Sequence, residues 1–179
     1  MKNFSSDVRE ELLASVPTAQ CCRRALLFGL MINAECGVGD AIYFRITGGE
    51  IAPLIKKLLF EQFGREVEPE MSNCYGRKVA EFSFHSAKLA LALSELSDQG
   101  KSDQPLPFFK CKSCAFAFIS GLLLSASRIS DPSKESRLEF RISDPARAQR
   151  VAEFFSSKGH VPSISGRTEL TSLLYRKTE

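Results

Sequence analysis

Some residues and patterns are scarce in this chain, and their scarcity argues against several classes of protein. Only two histidines, His85 and His160, occur among the 179 residues, which is few for chemistry that needs a general base. Apolar runs are broken by glycine, serine or charge well before the roughly 18 residues of a membrane-spanning helix, so no membrane segment is expected. The polar segment from Met1 to Asp7 lacks the apolar core of a signal peptide, so a cytoplasmic protein is expected.

No charge of one sign dominates the composition. The 24 lysines and arginines exceed the 21 aspartates and glutamates by 3, and the pI is about 8.5. This balance permits a nucleic-acid partner without requiring one, and a clustered basic face would favour it. Hydrophobic residues make up 44% and charged residues 25%, which excludes disordered, collagen-like and low-complexity classes. The length suits one domain, or one domain built from two halves, with a substantial core.

Among the features that are present, an internal repeat is the most informative. The matched segments are residues 22–35 with 114–127, 44–47 with 140–143, and 60–64 with 155–159. The offset is constant within the first match and larger in the later ones, which indicates a short insertion in the turn-rich residues 131–134. Three matches in the same order predict a duplicated unit of roughly 70 residues.

Each unit is predicted to contain the same series of elements. It opens with a helix, over residues 20–35 in the first copy and 112–127 in the second. A strand follows, whose strict alternation places one set of side chains inward: Ile42, Phe44 and Ile46 in the first copy, and Leu138, Phe140 and Ile142 in the second. The sequence Ser143-Asp144-Pro145 predicts the start of the next helix in the second copy, and Gly64 and Gly159 predict helix ends.

Two short strands close each unit, and they set the predicted domain boundaries. The strands are predicted over residues 66–71 and 78–84 with a turn at 73–76, and over 161–165 and 170–175 with a turn at 166–167. Helices are also predicted over residues 5–14 and 86–97. The polar, proline-rich stretch after residue 97 is typical of a linker. Residues 1–97 are therefore assigned to an N-terminal helix and first repeat, 98–109 to a linker, and 110–179 to a second repeat.

Small residues recur on one face of the first helix in each unit. Ala25 and Gly29 are four residues apart, as are Ala117, Gly121 and Ser125. Small side chains at this spacing let two helix backbones approach closely. The two repeated helices are expected to pack on each other at a pseudo-two-fold axis, although tight packing on another element would fit the same pattern.

At this point the sequence resembles a known family. The repeated segments Leu27–Glu35 and Ile119–Ser127 resemble the LAGLIDADG homing-endonuclease fold. The segments Phe4–Leu12, Cys21–Ala25 and Ser130–Pro132 resemble more closely the bacterial WhiA family, and the resemblance covers nearly the whole chain. It implies an α+β fold with two pseudo-symmetric halves, antiparallel sheets and two close-packed central helices. It also implies a cytoplasmic, nucleoid-associated regulator with roles in sporulation, cell division and chromosome segregation.

The resemblance implies that the outward residues of the sheets lie on double-stranded DNA. The alternating outward positions are Tyr43, Arg45, Thr47, Arg137, Glu139 and Arg141, and the basic hairpin residues are Arg77, Lys78 and Arg167. Arginines on strands in the major groove can reach base edges and phosphates. An ordinary solvated strand face remains the alternative for each arginine. Division or transcription proteins are further candidate partners, whereas a membrane and a small-molecule substrate are not expected.

Catalysis is not expected. Active LAGLIDADG members need an acidic residue at the end of each repeated helix, and two such carboxylates hold the divalent metal. Alignment on the repeated glycines places Ala34 and Ala126 at those positions, and neither side chain can bind a metal. Glu35 is one residue away in the first copy, whereas Ala126 has only Ser125 and Ser127 beside it. A protein-interaction scaffold and a residual metal-dependent endonuclease remain the alternatives, and no cofactor is predicted.

Four cysteines occur at the starts of the two repeated helices: Cys21, Cys22, Cys111 and Cys114. Four thiolates are able to form a tetrahedral zinc site, and a Cys-x-x-Cys pair is able to act in redox chemistry. However, adjacent residues on a helix point about 100° apart, and the two helix starts need not converge. Small, half-buried thiols are therefore the favoured interpretation, with zinc binding and redox activity as alternatives.

Two segments known from the WhiA family are expected to be missing from this sequence. These are the last helix of the second repeat and the C-terminal helix-turn-helix domain. We therefore expect weaker specific DNA binding and a partly uncovered second sheet, which would favour marginal stability or dimerisation.

Overall fold

A computed structural model describes residues 4–97, 106, 108–131, 133, 137–167 and 170–176 of the chain. Six helices are present in this part: α1 (Phe4–Ala14), α2 (Gln20–Leu30), α3 (Ala52–Phe63), α4 (Ala87–Ser97), α5 (Ser113–Ser125) and α6 (Pro145–Ser156). The strands are β1 (Glu35–Cys36), β2 (Ala41–Thr47), β3 (Glu70–Cys74), β4 (Arg77–His85), β5 (Ser127–Ile129), β6 (Arg137–Ile142), β7 (Ser163–Arg167) and β8 (Leu170–Arg176). None of the described helices combines the length and apolarity needed to span a membrane.

The strands form two antiparallel sheets with the same topology. The first sheet has the order β1-β2-β4-β3 and the second has the order β5-β6-β8-β7. In each sheet a central strand pairs with the strand that leads from the repeated helix and with the long strand of a hairpin. The duplicated α+β architecture expected from the sequence is therefore confirmed.

Side-chain alternation along β2 explains how the first sheet contributes to the core. Ile42, Phe44 and Ile46 are at most 2% exposed, whereas the residues between them face away from the core. The Phe44 ring stacks on Phe82 of β4 with 4.7 Å between ring centroids. The same alternation places Phe140 and Ile142 of β6 inward, as predicted, and leaves the opposite face of each sheet for other contacts.

The central helices α2 and α5 pack side by side, as expected for this fold class. A Cβ atom placed on Gly29 would lie 2.2 Å from the carbonyl oxygen of Phe118 and 2.9 Å from the Cα of Gly121. A Cβ atom on Gly121 would lie 2.3 Å from the carbonyl oxygen of Leu26. Ala25 and Ala117 are also buried on these helices. Only glycine permits this backbone approach, because any side chain would overlap the partner helix.

Several element boundaries differ from the sequence-based prediction. Helix α2 ends at Leu30 rather than at residue 35, because Met31 leaves the helical conformation and the chain turns into β1. Helix α5 likewise ends at Ser125, and β5 begins after the single residue Ala126. Strands of two or three residues carry no periodic signal, so the sequence did not indicate β1 and β5.

The two hairpins also begin later than predicted. Strand β3 starts at Glu70 rather than at residue 66, and β7 starts at Ser163 rather than at residue 161. The first hairpin turns at Tyr75 and Gly76, which both have positive φ values, 49° and 76°, as a type I′ turn requires. Gly166 and Arg167, predicted as the second turn, instead lie within β7, and the residues between β7 and β8 lie outside the described part.

The end of the predicted linker packs into the core. Leu106 and Phe108 are buried, and the Phe108 ring stacks on Phe28 of α2 with 4.5 Å between ring centroids. Phe108 also contacts Phe118 of α5, so this short segment contributes to the junction of the two central helices. Residues 98–105 and 107 of the predicted linker lie outside the described residues.

Candidate nucleic-acid interface

The outward side of the first sheet carries charges of both signs. Strand register and alternation place one set of side chains there, which we call the first outward face: Glu35, Tyr43, Arg45, Thr47, Glu70, Ser72, Cys74, Arg77, Val79, Glu81 and Ser83. Its two arginines stand among three carboxylates. Arg45 forms an ion pair with Glu81 across the β2–β4 ladder, with 3.5 Å between Nε and Oε1. The Arg45 side chain is 51% exposed, so this pair is solvated and weak.

The outward side of the second sheet is dominated by arginine. The second outward face includes the charged residues Arg128, Arg137, Glu139 and Arg141, together with Ser163, Ser165, Ser172 and Leu174. Glu139 lies between two of these arginines, with its carboxylate 3.4 Å from Arg137 and 3.3 Å from Arg141. It is only 6% exposed, although alternation predicted the outward position correctly. Arg137 and Arg141 remain about one-third exposed, which leaves their guanidinium groups accessible from the sheet surface.

The ionisation of Glu139 depends on its neighbours. Burial favours the neutral acid, but hydrogen bonds from Ser172 and Arg141 and the charges of Arg141 and Arg137 outweigh it, so the pKa of Glu139 falls below its usual value. The ionised carboxylate positions both arginines on the outward surface. We therefore interpret Glu139 as a residue that orients Arg137 and Arg141, and the contact with DNA predicted for it stays a prediction.

The predicted hairpin residues do not all lie at a hairpin tip. Arg77 pairs with Cys74 and belongs to the first outward face, while Lys78 has the opposite alternation and packs against Gly49. Arg167 pairs with Leu170 inside the β7–β8 ladder. Arg77 and Lys78 also border an open cavity of about 330 Å³ together with Arg9 of α1, a basic residue that the sequence analysis did not single out.

Each central helix is followed, between its C-terminal end and the next strand, by a buried alanine; we call these C-terminal ends, with the residues up to the strand, the inner ends. Ala34 directly precedes β1 and Ala126 directly precedes β5, and both are buried, at 2% and 7% exposure. The carbonyl oxygen of Ala126 accepts a hydrogen bond of 2.8 Å from the amide of Arg141. The carbonyl oxygen of Ala34 accepts one of 2.5 Å from the guanidinium of Arg147.

Polar side chains connect the two halves around these alanines. Asn33 donates to the carbonyl oxygen of Arg141 over 3.0 Å and accepts from the amide of Ser143 over 2.9 Å. Its counterpart in the repeat, Ser125, donates to the carbonyl oxygen of Gly29 over 3.0 Å. The space beside the two alanines is therefore occupied by hydrogen bonds that cross between the halves.

Arg147 of α6 strengthens this connection. It is 5% exposed and donates to the carbonyl oxygen of Ile32 over 3.0 Å as well as to Ala34. Its Nε atom donates to the hydroxyl of Ser97 at the end of α4 and lies 3.5 Å from the carboxylate of Asp144. Asp144 also caps α6, as the sequence predicted, by accepting from the amides of Ala146 and Arg147.

A cluster of thiols lies at the other end of the central helices. The sulfur atoms of Cys21, Cys22, Cys111 and Cys114 all lie within 4.8 Å of one another. Burial, followed by hydrogen bonds with Cys111 and Cys114, raises the pKa of Cys22 to about 12. Hydrogen bonds from Cys22, Cys114 and Cys21 lower the pKa of Cys111 to about 7. In the described part of the chain, this is the one group of three or more cysteine, histidine or acidic side chains arranged to hold a metal ion.

Solved structures with the same arrangement of helices and sheets identify the fold. The N-terminal LAGLIDADG domain of DUF199/WhiA superposes with a TM-score of 0.73 and 14% identity, covering 99% of this chain and 85% of that chain. The chain has the LAGLIDADG fold. Full-length DUF199/WhiA from Thermatoga maritima gives a TM-score of 0.73 and 15% identity over 98% of this chain. This chain spans 58% of that longer protein.

A homing endonuclease shares the LAGLIDADG fold at a lower level of similarity. The crystal structure of I-DmoI in complex with DNA and Mn has a TM-score of 0.53 and 18% identity, and covers 87% of this chain and 90% of that chain. No protein-family model and no curated protein matches the sequence. The fold is therefore established by structure.

The LAGLIDADG fold allows the residues after the two central helices to be compared with those of active members of the fold. Ala34 and Ala126 occupy the inner ends of the paired helices, where the resemblance implies a carboxylate in active members. Glu35, the neighbouring acid, pairs with Tyr43 and belongs to the first outward face. One outward arginine was missed by the sequence analysis: Arg128 is exposed on β5, opposite Glu139. Strand β5, with three residues, is too short to show alternation. Only a comparison with the first repeat could have indicated a strand at Arg128.

Proposed function

We propose that this chain is a non-catalytic DNA-binding module of a WhiA-like regulator. The observation that carries the proposal is a LAGLIDADG fold with buried alanines, Ala34 and Ala126, at the two inner helix ends. Fold neighbours of this kind include an endonuclease in complex with DNA, which supports DNA as the partner. Roles in transcription, sporulation, cell division and chromosome segregation, and association with the nucleoid, are further parts of the proposal and rest on the resemblance to WhiA.

The basic second outward face supports the DNA-binding part of the proposal. Arg128, Arg137 and Arg141 lie on adjacent antiparallel strands, and this arrangement suits contact with the phosphates on either side of a groove. Glu139 holds two of these guanidinium groups at the surface of the sheet and also adds one negative charge there. Positions on strands that face the major groove can also bring arginine to guanine edges.

The inner helix ends support the absence of cleavage. Hydrolysis of a phosphodiester by this fold needs carboxylates that hold a divalent metal and a water. Alanine offers no ligand, and the surrounding polar groups, Asn33, Ser125 and Arg147, already bond to backbone carbonyls of the opposite helix or half. A metal ion at this position would be next to the buried guanidinium of Arg147, which disfavours a second positive charge.

The proposal is tested by measuring binding of a labelled duplex to the full chain over a series of salt concentrations, with Mg²⁺ or Mn²⁺ present. We expect the logarithm of the binding constant to fall linearly with the logarithm of salt concentration, and the duplex to remain intact. Absence of binding at low salt would contradict the DNA-binding part. Metal-dependent strand cleavage that copurifies with the folded chain would contradict the non-catalytic part.

A second candidate function is a protein-interaction scaffold, and the first outward face is the observation that favours it. Glu35, Glu70 and Glu81 outnumber Arg45 and Arg77 there, which disfavours contact with phosphates. A division or transcription protein would be the partner on this reading. Binding of this chain to such a protein that is insensitive to salt, together with weak binding of duplex DNA, would support the scaffold function.

A further inference from the structure

Four cysteines at the N-terminal ends of the central helices have no part in the proposed DNA contacts. Cys21 and Cys22 belong to the first turn of α2, Cys114 lies in the first turn of α5, and Cys111 lies just before it. Because α2 and α5 meet both here and at Gly29 and Gly121, they run side by side in the same direction. This parallel packing brings together cysteines that are separated by about ninety residues in the chain.

The spacing of the sulfur atoms fits a tetrahedral metal site. The Sγ atom of Cys111 lies 3.7 Å from that of Cys21, 3.5 Å from that of Cys22 and 3.6 Å from that of Cys114. Four sulfurs placed about 2.3 Å from a central zinc ion lie about 3.8 Å from one another. A disulfide would need a sulfur separation of about 2.05 Å, far shorter than any of these contacts.

The adjacent cysteines of α2 are compatible with this site, because a cysteine from the other half of the molecule lies close to both of their sulfur atoms. Cys21 and Cys22 point in different directions from the helix, as neighbouring residues must. Cys111 lies within 3.7 Å of both sulfurs, so the two directions converge on the segment that precedes α5. Neither half has four ligands alone, and the set is complete only when the halves are packed together.

The helix termini add a favourable electrostatic environment for anionic sulfur. Neither α2 nor α5 has a side chain that caps its N-terminus, and the two positive ends lie beside each other. The backbone amide of Lys110 donates to the sulfur of Cys114 over 3.4 Å, and the amide of Ser113 donates to Cys111. Thiolates bound to a metal would accept hydrogen bonds from these amides, and their negative charge would be stabilised by the positive N-terminal ends of both helices.

Charged side chains around the cluster also favour the site. Arg24 and Lys110 border the same open cavity as Cys21, with a volume of about 300 Å³, and Glu95 is the acidic residue on its lining. A zinc ion with four thiolates carries a net charge of −2, and Arg24, Lys110 and the two helix N-termini would offset this charge against the single Glu95. Cys21 is half-buried and Cys111 is exposed, which gives the ion a path from solvent.

We propose that Cys21, Cys22, Cys111 and Cys114 bind one zinc ion that joins the two halves of the molecule. Binding removes the proton from each cysteine that is still a thiol and releases it to solvent, and no bond is oxidised or reduced. The ion would fix the N-terminal ends of α2 and α5, while the hydrogen bonds around Ala34 and Ala126 fix the opposite ends. Its free energy of binding would then add to the free energy of unfolding.

The test is metal binding by the full chain, purified and kept under reducing conditions. We expect zinc to copurify or bind at about one ion per chain, and Co²⁺ to give the visible bands of tetrahedral thiolate coordination. Cys111→Ser, at an exposed position, and Cys21→Ser, at a half-buried one, should each lose these bands. The matched control is Cys36→Ser/Cys74→Ser, which removes two cysteines outside the cluster and should bind as the unchanged chain does.

A readout independent of metal analysis is the thermal unfolding midpoint. Chelator should lower the midpoint of the unchanged chain and of the control variant, and should have little effect on Cys111→Ser, which has already lost the ion. Circular dichroism of each variant establishes that it is folded before its metal binding is compared. The proposal is overturned if the reduced, folded chain gives no tetrahedral Co²⁺ spectrum, if iron occupies the site in place of zinc, or if both single variants bind zinc as well as the control.

Discussion

The two sheets share a topology and an inward face but differ on the outward face. Phe44 and Phe140 occupy equivalent buried positions in β2 and β6. On the outward side, three glutamates accompany two arginines in the first sheet, whereas among the described side chains of the second sheet three arginines accompany one glutamate. Inward residues are held by the need to fill the core, while outward residues are free to diverge. The second sheet is therefore the half better suited to DNA.

The inner and outer ends of the central helices differ in the same instructive way. At the inner ends, small side chains and direct hydrogen bonds join the halves around Ala34 and Ala126. At the N-terminal ends, two cysteines from each half bring their sulfur atoms within 4.8 Å of one another. Different groups join the two halves at each end of the central helices, so substitutions can weaken one end without changing the other.

Replacing Arg147 should produce the largest loss of stability, because this buried residue of the second half bonds to carbonyls of the first. The first turn of α3 carries no charged residue, so no equivalent contact runs in the opposite direction. We expect Arg147→Met to lower the free energy of unfolding by roughly 3 kcal/mol, measured by urea denaturation. Arg65→Met, at an exposed position after α3, is the control and should change little. Equal effects of the two substitutions would refute this role.

Replacing glycine by alanine at the helix crossing should lower the stability by a similar amount in α2 and in α5, because each glycine contacts the backbone of the other helix. Alanine favours helix by about 1 kcal/mol, yet a Cβ at Gly29 or Gly121 would overlap backbone of the partner helix at 2.2 or 2.3 Å. We expect Gly29→Ala and Gly121→Ala each to destabilise the chain by about 1–3 kcal/mol in thermal or urea unfolding.

Gly166→Ala is the matched control for the helix crossing, since nothing lies within 4 Å of a Cβ at Gly166. It should leave the unfolding midpoint nearly unchanged. If Gly29→Ala stabilises the protein instead, the helices are not in backbone contact and the packing described for the axis is wrong.

The N-termini of α3 and α6 should differ in their response to acid. Asp144 caps α6, whereas Ile51 at the start of α3 provides no side-chain cap. Burial opposes ionisation of Asp144, but the Ser97 hydrogen bond, the amides of Ala146 and Arg147 and the Arg147 charge outweigh it, so the pKa of Asp144 is lowered. Asp144→Ala should cost about 1 kcal/mol near neutral pH.

The pH dependence of this contribution has a defined sign. Because the folded state holds the pKa of Asp144 below its unfolded value of about 3.9, the stabilisation is complete above that value and declines as pH falls through the folded pKa. The difference in unfolding free energy between the original chain and Asp144→Ala should therefore shrink in acid. A difference that grows in acid would contradict the lowered pKa.

Replacing one glutamate on each outward face should change the affinity for duplex DNA, and we expect this effect to be smaller than the changes in stability described above. Glu139→Gln keeps the shape of the side chain and releases two arginines, whereas Glu81→Gln releases one. We expect Glu139→Gln to tighten binding of duplex DNA by about threefold at low salt, and Glu81→Gln to have less effect. If Glu81→Gln tightens binding more than Glu139→Gln, the first sheet is the principal DNA contact.

Much of the fold could be predicted from the sequence because the strongest signals are local. The alternation in β2 and β6, the Asp144 cap and the recurring small residues each follow from spacing within one element. The short strands β1 and β5 could not be predicted, since two or three residues show no period. Arg128 was missed for that reason. The outward direction of Glu139 followed from alternation, but its burial did not, because the contacts of its carboxylate with Arg137 and Arg141 depend on side-chain conformation.

The cysteine cluster shows a different limit of sequence reasoning. Residue spacing within each helix argued against convergence, because adjacent Cys21 and Cys22 diverge on α2. Their meeting with Cys111 and Cys114 depends on the parallel packing of α2 and α5, which is set by the glycine contact farther along the helices. Such a site becomes visible only when tertiary packing is known.

The most direct test of the account compares the salt dependence of duplex binding for three double variants. Arg137→Ala/Arg141→Ala removes charge from the second outward face, Arg45→Ala/Arg77→Ala removes it from the first, and Lys57→Ala/Lys158→Ala removes the same charge from exposed positions on the helical side. The account predicts that the first pair lowers the salt slope by about 2, that the second pair lowers it less, and that the third leaves it nearly unchanged. Equal slopes for all three variants would contradict DNA binding through the second sheet.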